Sequence, residues 1–305
     1  MRVLAYIHTF NDADIIKQTI AGLLQQTRLV DGILVVDNAS TDATLAQSCL
    51  EHATVLRHPE NLGTSGAVCT GFRFALEQGY DWMWTFDPDG VPAPDALKKL
   101  LDLYAGWTSN QQEETAFIAC LHAARWRDSA QRVFTRRGLV PARPAPGDRY
   151  YACHVTSWSG CLYRMAAVRA IGLPNPDYFT DWGEGEYGYR VIKAGFKGFV
   201  CRDAAMDFNI RGYASLRPAE INRGTATSTV LEYPPFRCYY TARNRLYLTL
   251  YDFAEFRPLM ILRMVVTLAI MIMKLQLRPG RHGLQMRAFF RGIWHGVTGN
   301  IAARY

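Results

Sequence analysis

From Val3 to about residue 100, short apolar runs rich in β-branched residues alternate with stretches in which apolar positions recur at helical spacing. Residues 3–7 read as a strand, and the segment 13–29 puts Ile15, Ile16, Ile20, Leu23 and Leu24 on one helical face. A second strand, 32–37, runs into Asn38-Ala39-Ser40-Thr41-Asp42, where Ser40 or Thr41 can cap a helix reaching Leu50. Residues 54–57 form a third strand, 61–66 a glycine-bearing turn and 67–78 a third helix. The fourth strand, 82–86, leads into Asp87-Pro88-Asp89-Gly90. This succession predicts an α/β fold: a mostly parallel sheet with helices on both faces, which binds ligands at the carboxyl ends of its strands. Thr9, Asn11, Asp37, Asn38, Asn61, Asp87 and Asp89 all stand at such ends.

Composition narrows the class. The 305 residues are 49% hydrophobic and 20% charged, which excludes disorder and fits one large domain or a domain with an appendage. The net charge of +7 is uneven. Residues 256–305 hold seven Arg, one Lys and no acidic residue, so these fifty carry +8 and the other 255 carry −1. Seven scattered cysteines, with neither a CxxC pair nor a zinc-site spacing, read as reduced thiols of a cytosolic protein. The chain start does not resemble a signal peptide. The longest apolar stretch, 264–273, is ten residues, about half of the ~20 needed to span a bilayer.

Two acidic groupings carry the candidate chemistry. Asp87 and Asp89, spaced i, i+2 at a strand end, can direct oxygens at one hard cation, Mg²⁺ or Mn²⁺; the competing reading is an ordinary DPDG turn. Asp181, Glu184 and Glu186 lie at the start of a helix continuing to about Lys193 and stopped by Gly195. Crowded like charges raise at least one pKa, which suits a general base, whereas a solvated helix N-terminus would use the same acids to complement its dipole.

In order and spacing these pieces resemble glycosyltransferase family 2, the inverting, nucleotide-sugar-dependent group with the GT-A fold. The resemblance rests on Tyr6-Ile7-His8-Thr9-Phe10-Asn11, on residues 35–42, on Asn61-Leu62-Gly63-Thr64-Ser65-Gly66, on Asp87-Pro88-Asp89 and on residues 179–190. It covers Met1 to about Ile210, and Arg237-Cys238-Tyr239-Tyr240-Thr241-Ala242-Arg243-Asn244 resembles the YYxxRN segment of rhamnosyl- and galactofuranosyltransferase relatives.

The resemblance implies that Asp37 accepts a hydrogen bond from the pyrimidine N3–H, which uracil and thymine share. It places Thr9, Asn11, Asn61, Gly66 and Asp87 around the nucleotide sugar, and Asp87 and Asp89 at the metal. Ser157-Trp158-Ser159-Gly160-Cys161 resembles the family's small-residue turn before a helix, here 165–171 ended by Gly172. Trp158, Ser159, Gly160, Asp181, Trp182 and Glu186 are then expected on the acceptor side, with Trp158 either a sugar platform or a core filler. Glu184 is the expected base and Asp181 its rival. The chain departs from the family at His8, which replaces a proline, and at Glu184, which replaces an aspartate. A third departure is Met206-Asp207-Phe208-Asn209, which stands where relatives place a metal-binding histidine; Asp207 is the substitute candidate.

The expected organisation is a GT-A domain over 1–215, its nucleotide-sugar half about 1–110 and its acceptor half 111–215, followed by a basic helical region over 216–305. An apolar band (Leu259, Ile261, Leu262, Val265, Val266 and 268–273) beside Arg257, Arg263, Lys274, Arg278 and Arg281 suits an anionic membrane surface, a packed helical subdomain or a homo-oligomer interface. Nucleic-acid binding does not fit, since no recognition motif accompanies the charge. The expected activity is transfer of rhamnose or galactofuranose from a UDP- or TDP-sugar to a glycan or lipid-linked glycan precursor of a surface polysaccharide. It would occur in the cytoplasm or at the inner face of the membrane. The alternative is a nucleotide-sugar-binding or scaffold protein on the same fold with its chemistry lost.

Overall fold

The computed structural model describes residues 1–122, 131–135, 138–208, 234–253 and 283–305, with isolated positions between 258 and 269. Strands β1 (Val3–Thr9), β2 (Gly32–Asp37), β3 (Thr54–Arg57) and β4 (Trp82–Phe86) form a parallel block in the order β3-β2-β1-β4. Beyond β4 the sheet becomes mixed. Here β10 (Cys161–Arg164) runs antiparallel to β4 and to β6 (Thr115–His122), and β6 runs parallel to β11 (Lys197–Phe208). The far edge is β5 (Gly90–Pro92), antiparallel to β11, which also pairs with β9 (Tyr150–Ala152). A separate hairpin joins β7 (Arg132–Thr135) and β8 (Gly138–Pro141).

Alternation along β1 divides the core between the two faces. Val3, Ala5 and Ile7 pack with Ile16, Ile20 and Leu23 of α1 (Ile16–Leu24) and with Leu97 and Leu100 of α3 (Ala96–Ala105). Leu4 and Tyr6 face the opposite way, against Ala67, Val68 and Phe72 of α2 (Gly63–Glu77). Burying each such aliphatic or aromatic side chain is worth about 1.5–3 kcal/mol, which makes the sheet a rigid floor. α4 (Ser109–Glu114) leads into β6, α5 (Met165–Ile171) follows β10, and α6 (Gly183–Lys193) precedes β11.

Several elements differ from expectation, each for a local reason. α1 ends at Leu24 rather than 29, because Thr27 N–H is drawn to the Pro94 carbonyl at 2.8 Å. The segment after β2 forms two 3₁₀ turns, Ala43–Ala46 and Ser48–His52, and the first is capped by Asp42 rather than Ser40 or Thr41. Ser40 instead accepts from the Asn11 N–H. α2 starts at Gly63, and β11 extends through Phe208 because β5 offers it a partner edge.

In the C-terminal part, α7 (Pro235–Tyr247) and α8 (Gly283–Val297) pack closely. A Cβ on Gly292 would lie 2.3 Å from the Tyr239 carbonyl oxygen, and one on Gly296 2.7 Å from that of Arg243. The apolar band over 259–273 lies for the most part outside the described residues. Gly292→Leu should therefore force the two helices apart. A loss of about 1–3 kcal/mol by chemical denaturation is the expected outcome, and an unchanged midpoint would refute the close contact.

Candidate active site

Parallel pairing sets Ile7 opposite Phe86, so His8, still in β1, and Asp87, just beyond β4, come side by side. His8 Nε2 lies 3.5 Å from Asp87 Oδ1. Burial pushes His8 down to about 4, so a neutral imidazole faces the carboxylate at neutral pH. From the turn before β10, Ser159 reaches the same place: its Oγ accepts from the Asp87 backbone N–H at 3.1 Å. Gly160 N–H donates to the Thr85 carbonyl at 2.7 Å. At φ +76, with a would-be Cβ 2.0 Å from Met206 Sδ, position 160 admits only glycine. Ser159 and Gly160, expected beside the acceptor, thus buttress the Asp87–Asp89 turn.

The ends of β1 and β2 are level, Thr9 opposite Asp37. Asp37 is buried; its oxygens accept from Ser40 N–H at 3.1 and 3.3 Å, and Arg57 Nε lies 3.5 Å away. Asn11, at φ 60, ties the two loops together, with Oδ1 accepting from Thr41 N–H at 2.8 Å and Asp42 N–H at 3.2 Å. Thr9 is fully buried and donates to Asp12 Oδ2 at 3.0 Å, so it shapes the loop from beneath. Asn61 Oδ1 accepts from Gly63 N–H at 2.8 Å, while Gly66 allows Leu62 to approach α2. This rim is continuous with the Asp87–Asp89 turn through β1.

Glu184 lies in the first turn of α6, half-buried. Burial pushes its carboxyl up to about 7, with further upward contributions from the charges of Asp181 and Asp87 and a downward one from Arg237. Asp87 is also raised by burial and offset by Arg237, and Asp89 is raised by burial and by Asp87. Asp87 thus acts electrostatically on Asp89, two residues along the same turn, and on Glu184, which sets the first turn of α6 near the turn that follows β4.

The neighbouring acids have other work. Asp181 directs Oδ1 to Arg237 at 3.4 Å and accepts from Thr241 Oγ1 on Oδ2 at 2.7 Å. Both oxygens are engaged, against the expectation of an acceptor ligand or rival base. Glu186, expected on the acceptor side, is 6% exposed, paired with Arg190 and accepting from Asn175 N–H at 3.3 Å. Trp158, expected as a sugar platform or core filler, is the latter: it is 4% exposed and packed among Phe72, Tyr163 and Tyr187. Trp182 is partly exposed at the rim, with the Arg245 guanidinium 5.6 Å from its ring centre.

Asp87 and Asp89 fit a hard divalent cation on electrostatic grounds. Two carboxylates held close with raised pKa values are short of positive charge, and Mg²⁺ or Mn²⁺ is commonly held by one or two carboxylates with substrate phosphates completing the shell. Asp207 does not complete a protein cage with them. Its Oδ1 accepts from the Phe208 N–H at 2.8 Å on an exposed strand, and among the described residues no three His, Cys, Asp or Glu side chains converge on a metal position. Sequence reasoning missed Asp12, Arg57, Arg237 and Asn244. Of these, Arg237 and Asn244 carried a signal, since Arg237, Thr241 and Asn244 are spaced i, i+4, i+7 and share one face of α7.

Comparison with known proteins places this geometry. The family described as Glycosyl transferase family 2 matches residues 5–172. Galactofuranosyltransferase GlfT1 of Mycobacterium tuberculosis is 30% identical over 258 residues, 80% of this chain and 81% of that protein. The undecaprenyl-phosphate mannosyltransferase of Micrococcus luteus is 37% identical over 109 residues, 33% of this chain and 44% of that protein. Among solved structures, GalNAc-T7 with UDP, GalNAc and Mn²⁺ aligns with a TM-score of 0.58 at 13% identity, over 92% of this chain and 58% of that one. The mannosyltransferase PcManGT from Pyrobaculum calidifontis, in complex with GDP-Man and Mn²⁺, aligns at 0.56 and 14%, over 97% and 86%. These two likenesses establish the fold as GT-A. The matched region holds β1, β2 and the Asp87–Asp89 turn, and the chain belongs to glycosyltransferase family 2.

Proposed function

We propose that the chain is a metal-dependent, inverting hexosyltransferase that moves galactofuranose, or rhamnose as the second choice, from a UDP- or TDP-sugar to a hydroxyl of a lipid-linked glycan. The similarity to GlfT1 over most of both chains supports galactofuranose. The observation that carries the reading is the turn after β4, where Asp87 lies beside His8 and is held at its backbone by Ser159, together with the raised carboxyls of Asp87, Asp89 and Glu184.

In this reading the pyrimidine lies on the β1–β2 rim, with Asp37 accepting from N3–H and the Asn11-tied loops framing the ribose. Asp87 and Asp89 would hold the cation, which would supply charge stabilisation to the departing diphosphate. Glu184 accepts the proton of the acceptor hydroxyl as its oxygen bonds to the anomeric carbon. The bond from that carbon to the diphosphate breaks on the opposite face, its electron pair leaving with the phosphate, and configuration inverts. A base with a pKa near 7 is matched to this task at neutral pH. Trp182 flanks the acceptor side.

A lipid-linked acceptor agrees with the C-terminal helices. No helix of the described residues is long and apolar enough to cross a membrane. α8 buries Phe289, Gly292 and Gly296 toward α7 and exposes Phe290, Trp294 and Val297 at 46, 66 and 49%, at i, i+4, i+7 beside Arg287 and Arg291. This face suits peripheral contact with an anionic leaflet. Trp294→Glu should reduce co-sedimentation with phosphatidylglycerol vesicles at least severalfold while leaving neutral vesicles unaffected; equal recovery of both proteins would remove the membrane reading.

Donor identity is tested by thermal shift against UDP-galactofuranose and TDP-rhamnose, with and without Mn²⁺. The true donor at a hundredfold its Kd adds about 2.7 kcal/mol to the stability of the native state. Asp89→Asn should abolish the Mn²⁺-dependent part of the shift, and a variant that keeps it would sink the metal assignment. A donor that binds without turnover would favour the scaffold alternative.

Glu184→Gln should eliminate turnover yet retain donor binding. In the wild type, turnover should rise through about pH 7 as Glu184 loses its proton. The folded-state pKa lies above that of the unfolded chain, so the folded state holds the extra proton between the two values and stability falls as pH rises toward 7. Glu184→Gln removes this cost and should stabilise the protein above pH 7 by on the order of 1 kcal/mol, with no gain near pH 4. Equal melting temperatures for the two proteins at pH 8 would contradict the raised pKa.

A further inference from the structure

The loop entering α6 is wound against its own preference. Phe179, Asp181 and Trp182 have φ of 59, 57 and 67°, and none is glycine. Each such residue costs of order 1 kcal/mol or more, and the conformation persists only where surrounding groups over-determine it. α7 supplies those groups. Asn244 Nδ2, with two protons, is 2.7, 2.6 and 2.8 Å from the carbonyl oxygens of Tyr178, Thr180 and Asp181. Arg243, fully buried, donates from Nη2 to the Asp177 carbonyl at 2.6 Å and to that of Tyr178 at 3.3 Å. Thr241 and Arg237 hold the two oxygens of Asp181. The Tyr240 ring stacks on Phe179, centroids 4.7 Å apart.

Across the loop, a Cβ on Gly183 would lie 2.3 Å from Ser65 Oγ, so the first turn of α6 is pressed between α2 and the loop that α7 holds. Glu184 follows Asp181 by three residues and inherits its position from this clamp. We propose that the Arg237–Thr241–Asn244 face of α7 is a positioning device for Glu184: it keeps the 179–182 loop left-handed so that the carboxyl faces the Asp87–Asp89 turn. The proposal rests on the reading of Glu184 as the base. It makes the chain beyond residue 234 part of the catalytic unit rather than an appendage.

The test compares Thr241→Val, Thr241→Ser and Asn244→Asp in the full-length chain. Asn244→Asp is isosteric but turns an acceptor toward three carbonyl oxygens; Thr241→Val removes one hydroxyl and is the milder change. Two readouts are needed: hydrogen exchange of the 178–186 backbone, which requires no substrate, and release of UDP from UDP-galactofuranose with Mn²⁺, beside the Kd for UDP. Both Val and Asp variants should lose protection over 178–186 while β1 and β4 keep theirs. Displacing the base by about an ångström should lower kcat roughly tenfold in Thr241→Val and a hundredfold in Asn244→Asp, with the UDP Kd within about twofold of wild type. Thr241→Ser should restore most of what Thr241→Val loses. Unaltered exchange in Thr241→Val and in folded Asn244→Asp overturns the proposal, as does a parallel loss of kcat and UDP affinity. A wild type that binds UDP but does not turn over UDP-galactofuranose would count against the donor assignment, and exchange then decides the clamp by itself.

Discussion

Negative charge gathered in half-buried surroundings is the constraint on which this part of the fold turns. Asp87 and Asp89 sit at the carboxyl end of β4 and Glu184 at the start of α6, and burial raises all three. A carboxylate in such a place is unfavourable unless something positive arrives or a proton stays. Arg237 offsets part of this cost at Asp87 and Glu184. Neutral groups hold the Asp87 turn in place: the Ser159 hydroxyl at the Asp87 backbone and a neutral His8 beside its carboxylate.

The parallel block and the Asp87–Asp89 turn were legible because their information is local. Strand β1 alternates between two cores, β2 and β4 are continuous apolar runs, and each ends in a polar loop within a few residues. Side-chain roles were less legible where a partner comes from far along the chain. Asp181, Glu184 and Glu186 look alike in sequence, yet α7 engages the first, Arg190 and Asn175 engage the third, and the second is raised by burial to about 7. Trp158 shows the same limit. Its turn was recognisable, but the ring's destination depended on Phe72, more than eighty residues earlier.

The C-terminal helices show why composition can point to a property without locating it. Net positive charge drew attention to 256–305 as a surface-binding tail, but the contacts to the loop before α6 come from α7, which lies just before that stretch. α8 has two tasks. Its glycine face lets it lie on α7, and its opposite face is free of that packing and carries Phe290, Trp294 and Val297. Docking on a membrane by that face would therefore act on the same helix pair that holds the loop before α6.

The first turn of α6, which carries Glu184, needs support from outside the helix. Gly183, Gly185 and Gly188 fall within its first six residues, and each glycine costs about 1 kcal/mol of helix propensity relative to alanine. Two of them are required by contact: a Cβ on Gly183 would strike Ser65, and one on Gly188 would lie 2.1 Å from the His154 carbonyl oxygen. A helix of this composition does not hold its first turn by its own hydrogen bonding; it is held by what presses on it. Ser65 and His154 press on the helix, and α7 fixes the left-handed loop through which the chain enters it. The backbone beneath Glu184 is set by three neighbours rather than by the helix alone.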